Sequence, residues 1–86
     1  MPVRIDVIQE DIDRAIDGCG KCPVENACIR AFPESSDVIA NSESIYVCYG
    51  LLAERPTKPF RTPFRAKRFM YKFDSGESVE PFAFEL

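Results

Sequence analysis

Apolar residues alternate at both ends of this chain and recur at helical spacing in between. Val3, Ile5 and Val7 are separated by Arg4 and Asp6, and Phe82, Phe84 and Leu86 by Ala83 and Glu85. A period of two is the mark of a half-buried strand. Between these ends Val24, Ala27, Cys28 and Ala31 recur at i, i+3, i+4 and i+7, and Ala66, Phe69, Met70 and Phe73 repeat the same spacing. Each set is one face of a helix. A pattern that passes from strand to helix and back must bury helical stripes against a sheet, and 86 residues supply only one core for doing so.

The punctuation between the stripes completes the order of elements. Glu10 and Asp11 carry negative charge where a helix begins, Ile12 and Ile16 share a face at i and i+4, and Gly18 is placed to end this first helix. Pro23 suits the first position of a second helix, which Pro33 stops. Residues 38–40 and 45–49 flank the polar stretch 41–44 and read as a hairpin. Pro56, Pro59 and Pro63 rule out a central strand over 54–63, and the expectation there is a stiff, exposed crossing loop. Thr62-Pro63 reads as an N-cap and first position for a third helix running to Gly76. The expected fold is therefore α+β, in the order β-α-α-β-β-α-β. Helices would pack on one face of a small, mostly antiparallel sheet, with residues 1–86 forming a single domain.

Composition narrows the function. Hydrophobic residues make up 45% of the chain at a net charge of −3, too apolar for disorder, and no apolar run approaches the roughly 18 residues of a membrane span. The first residues lack the apolar stretch of a secretory signal, so the expected location is cytoplasmic and disulfides are not expected. The sequence holds no His, which removes Ser–His, Cys–His and His-based zinc chemistry. The four Gly are scattered at 18, 20, 50 and 76 and form no phosphate loop, and Asp13 and Asp17 read as a solvated helix face. A non-enzymatic protein without a cofactor is the expectation.

The cysteines leave more than one reading. Cys19, Cys22, Cys28 and Cys48 could supply four thiolates to a structural zinc, but Cys28 falls on the core stripe of the second helix and Cys48 within a strand, where a thiol packs as a small hydrophobe. Cys19 and Cys22 before a helix could also form a redox pair, although the preceding segment reads as a helix and not as the strand of a thioredoxin-like site.

Charge is strongly segregated. Residues 1–54 carry four cations against ten acids, residues 55–73 carry seven cations and no acid, and four acids follow. Such a pattern speaks of partners and long-range fields. The candidate binding residues are Arg55, Lys58, Phe60, Arg61, Arg65, Arg68 and Lys72, with Arg61, Arg65, Arg68 and Lys72 forming a ridge along the third helix. Cations interleaved with Phe60, Phe64 and Tyr71 could hold phosphates and stack bases, could dock on an acidic protein surface, or could simply solvate the helix. An isoelectric point near 4.9 favours the protein partner over nucleic acid.

Cys22-Pro23-Val24 with Ala27, the helix start Gln9-Glu10-Asp11-Ile12, Phe73-Asp74-Ser75-Gly76 and the ending Val79-Glu80-Pro81-Phe82-Ala83-Phe84-Glu85-Leu86 carry a resemblance. The chain resembles a group of short proteins of tailed phages and prophages that share a Cys-Pro-Val turn into a helix and a Pro-Phe-x-Phe ending. The likeness covers both ends and leaves out Tyr46 to Phe64. It implies a phage or mobile-element origin, where short accessory proteins often act on host proteins. The functional expectation is an inhibitor of a host protein, foremost a nucleic-acid-directed defence complex of the CRISPR type. The acidic N-terminal half could mimic nucleic acid, or the 55–72 segment could grip an acidic patch. A small nucleic-acid-binding accessory protein is the alternative.

Overall fold

A computed structural model describes residues 3–18, 21–50 and 57–86. In chain order they form β1 (Arg4–Val7), α1 (Gln9–Ile16), α2 (Pro23–Ala31), β2 (Asp37–Ala40), β3 (Ser44–Cys48), β4 (Lys58–Arg61), α3 (Phe64–Asp74) and β5 (Phe82–Glu85). The fold is α+β, and the expected elements occur in the expected order, with β4 added. The strands form two antiparallel sheets, β1-β5 and β2-β3-β4.

The two alternating ends of the sequence pair with each other. Ile5 lies opposite Phe84 and Val7 opposite Phe82, and Val3 and Leu86 exchange backbone hydrogen bonds of 3.0 and 2.9 Å. Ile5, Val7 and Phe84 are buried, as the period of two requires. In the second sheet Val38 lies opposite Val47 and Ala40 opposite Ile45, turning Val38, Ile45 and Val47 into the core. The Asn41 side chain closes that hairpin by accepting from the backbone N–H groups of Glu43 and Ser44 at 2.8 and 2.9 Å.

β4 corrects the reading of 54–63 as a loop throughout. Proline excludes a central strand but not an edge strand, and β4 is an edge. Thr62 donates its N–H to the Glu43 carbonyl at 3.1 Å, so residues 58, 60 and 62 turn their backbone groups toward β3. By alternation Pro59, opposite Tyr46, has its nitrogen facing away, and the missing N–H removes no bond from the ladder. The start of the third helix also shifts. Pro63 is the N-cap residue, while Thr62 is buried and its hydroxyl donates to the Asn41 carbonyl at 2.8 Å. At the other end of α3, Gly76 at φ +79° lets its own N–H reach the Phe73 carbonyl and that of Glu77 reach Lys72, which satisfies two terminal carbonyls.

α2 packs on both β1 and β2, and its side chains explain why the strands stay in two sheets. Arg30 donates to the Asp6 carbonyl of β1 at 2.8 Å, and Glu25 accepts from the Ala40 N–H of β2 at 2.9 Å. Edge groups that might have joined the sheets are thus bonded to the helix between them. Val24, Ala27 and Cys28 fill the core as expected, but Ile16 does not follow Ile12 inward. Asp11, Ile12 and Ala15 make the inner side of α1, whereas Ile16 is its last residue and is 69% exposed.

Asp11 joins the first two helices. Its carboxylate is 7% exposed and accepts from the Ile8 N–H at 3.0 Å and from Arg30 Nη2 at 2.6 Å, while its carbonyl accepts from Asn26 at 3.1 Å. The first two bonds close the N-terminus of α1 and tie it to α2.

Candidate partner-binding surface

α3 turns Ala66 and Phe69 into the core, with Met70 and Phe73 half-buried beside them. At 3.6 residues per turn, Arg65, Arg68 and Lys72 then share a sector of about 60° on one flank of the helix. All three are exposed. They line a cleft of about 540 Å³, whose opposite wall is Ser78, Val79, Glu80, Pro81 and Phe82. Phe69 stacks on Phe82 with ring centroids 4.5 Å apart, which fixes the distance between helix and wall.

The remaining candidate residues are placed elsewhere. Arg61 sits at the end of β4 and not on α3, beside Lys67, Glu43 and Ser44, so the expected four-residue ridge is broken into two groups. Phe60 is half-buried, faces the core side with Ile45 and packs on Phe32 at 6.0 Å, which removes it as an exposed anchor. Lys58 is exposed with its Nζ 5.1 Å from the centre of the Phe60 ring. Arg55 lies outside the described residues. Phe64 and Tyr71 are 71% and 72% exposed, but Tyr71 is on the other flank, in a groove with Cys22, Pro23, Lys67 and Met70.

Pairing separates these cations from those of the N-terminal half that are held by carboxylates. Arg4 is bonded to Asp6, Lys21 to Asp37 and Arg30 to Asp11. No described carboxylate pairs with Arg65, Arg68 or Lys72, although the chain holds more acids than bases. Lys21 also donates to the Val38 carbonyl at 2.7 Å. Burial pulls the Lys21 ammonium down, but the Asp37 hydrogen bond and the charges of Glu25 and Asp37 outweigh it and raise the pKa overall. The Lys21 hydrogen bond in turn lowers the Asp37 carboxyl, helped by the Val38 N–H. These long-range latches, spanning 16 residues for Lys21–Asp37 and 19 for Arg30–Asp11, leave no local signal in the sequence.

The three described cysteines do not form a cluster. Cys28 is fully buried on the α2 stripe, and Cys48 points to the face of β3 opposite Ile45 and Val47. Cys22 is the N-cap residue of α2, its Sγ accepting from the Glu25 N–H at 3.5 Å. Cys19 lies outside the described residues. Among the described residues no three His, Cys, Asp or Glu side chains are grouped to hold a metal. Burial pushes both the Cys22 and Cys28 thiols up to about 12, overriding the lowering expected at a helix N-terminus for Cys22. Both are protonated at neutral pH and poorly suited to nucleophilic work. Among the described residues no helix is long and apolar enough to cross a membrane. No protein-family model, curated protein or solved structure matches this chain.

Proposed function

We propose that this protein works by binding and not by catalysis, and that the α3 flank bearing Arg65, Arg68 and Lys72 docks on an acidic surface of a protein partner. The observation that carries this reading is three adjacent, exposed cations with which no described carboxylate pairs, in a chain with acids to spare. Clustered cations of one sign raise the local potential and speed encounter with an oppositely charged surface. A protein surface fits better than a nucleic acid. Phe60 is turned inward and Tyr71 lies on the other flank, which leaves Phe64 as the exposed aromatic beside Arg65, a poor platform for stacking successive bases.

The class of partner comes from the resemblance of both chain ends to phage and prophage proteins. It points to a host protein, foremost a nucleic-acid-directed defence complex of the CRISPR type, which this chain would bind and inhibit. The test is a pull-down from host lysate with the pure protein as bait, repeated with the Arg65→Glu, Arg68→Glu double variant and beside an oligonucleotide titration at two salt concentrations. Retention of one protein complex by the natural chain alone supports the reading. Salt-sensitive oligonucleotide binding with no retained protein overturns it in favour of a nucleic-acid-binding role.

A further inference from the structure

Two sheets present four outer edges, and on three of them a side chain or a proline takes up at least one outward backbone group. On β1, Arg30 occupies the Asp6 carbonyl. On β2, Lys21 occupies the Val38 carbonyl, the Asp37 side chain the Val38 N–H and Glu25 the Ala40 N–H. On β4, Pro59 presents no N–H at all. β5 is different. The reciprocal bonds between Val3 and Leu86 set the phase of the ladder, so Phe82 and Phe84 bond to β1 while Ala83 and Glu85 turn their N–H and C=O groups outward. No described residue donates to or accepts from those four groups.

The open edge is flanked by the same cations. A cleft between Arg4, Ala83, Phe84 and Glu85 of the sheet and Pro63, Phe64 and Arg65 at the start of α3 adjoins the one between α3 and residues 78–82, and Phe64 and Arg65 belong to both. We infer that β5 accepts an extended, acidic peptide segment of the partner as an added strand, held by the backbone of Ala83 and Glu85 and read by Arg65, Arg68 and Lys72. Main-chain bonds in such additions supply affinity and alternate side chains supply specificity. The alternation also sets the guest's pattern. α3 lies on the Phe82 face of the sheet, so guest residues on that face meet the cations, while those between them share the face of Glu85 and of Arg4, whose charge is already taken by Asp6, so an acid gains little there. The preferred guest alternates acidic with neutral residues.

This inference rests on the proposed docking role of α3, and one experiment separates the two. The isotope-labelled protein is titrated with a synthetic octapeptide of alternating Glu and Val. The same peptide N-methylated at every second residue, in each of the two phases, and a Lys-Val counterpart serve as controls. The expected result is amide shifts and slowed hydrogen exchange at Ala83 and Glu85 with shifts along the α3 flank. N-methylation in one phase should weaken binding roughly tenfold or more, as the loss of two hydrogen bonds requires, with no binding of the Lys-Val peptide. The N-methyl groups are on the guest, so misfolding of a variant cannot produce the effect. Slow exchange of Ala83 and Glu85 in the free protein would show the edge already covered and overturn the inference. So would the absence of binding at millimolar peptide. Shifts on α3 alone, indifferent to N-methylation, would overturn strand addition while leaving the electrostatic docking surface standing.

Discussion

Removing the Asp11 carboxylate should be among the most damaging single changes to this fold. Asp11→Ala deletes the acceptor for the Ile8 N–H, a cap interaction of about 1 kcal/mol. It also deletes the charge-assisted bond from Arg30, which lies toward the lower end of about 1.5–3 kcal/mol because the Arg30 side chain is 47% exposed. The expected loss is about 2–3 kcal/mol. At roughly 0.05–0.15 kcal/mol per residue a chain this long holds only some ~4–13 kcal/mol, so Tm should fall by about 10–20 °C. Arg30→Met should cost a comparable amount, because it leaves a buried carboxylate without its cation and the Asp6 carbonyl without its donor. The assay is urea unfolding of the two single variants and the double. If the pair acts as a unit, the double variant loses about 1–2 kcal/mol less than the sum of the singles. Additivity within about 0.5 kcal/mol, or a cost below that for Asp11→Ala, would refute the role assigned to this latch.

Charge reversal at Arg65 and Arg68 should leave Tm nearly unchanged, since exposed substitutions shift stability by less than about 0.5 kcal/mol, while affinity for the captured partner falls more than about tenfold by titration calorimetry. The Asp37 carboxyl is lowered from 3.8, so its stabilising contribution is complete above that value and fades as pH falls through the folded value. The Tm gap between the natural chain and Asp37→Asn should therefore narrow in acid below pH 3.8. Lys21, raised above 10.5, contributes fully below that pH and loses its contribution only as pH climbs through the higher folded value, so Lys21→Met should show a Tm deficit that is constant through neutral pH. Gly76→Ala should cost about 1 kcal/mol or more in urea unfolding, because φ is +79° there. Chelator should leave thermal unfolding unchanged and Cys28 should resist alkylation at pH 8 until the chain unfolds; one zinc per chain with unfolding on chelation would restore the four-thiolate site.

Much of the local architecture is written in short-range pattern. The alternation of Val3, Ile5 and Val7 and of Phe82, Phe84 and Leu86, the stripe of α2 and the core face of α3 each depend on neighbours within two turns or a few strand positions, and each is present where the pattern places it. The cationic flank of Arg65, Arg68 and Lys72 was legible for the same reason, because one helix carries all three. Arg61 fell off the ridge because it ends β4 while α3 begins only at Phe64, which helical spacing of the charges alone could not resolve. What only tertiary structure decided involves partners far apart in the chain. Arg30 reaches Asp11 and Asp6, Lys21 and Glu25 reach β2, and Pro59 comes to lie with its nitrogen on an outer edge. Such bonds depend on where whole elements pack, and a carboxylate that will be latched reads in sequence like one that will face water. The same limit hid the open edge of β5, whose character depends on its β1 partner and on α3 lying alongside, and not on the residues of β5 themselves.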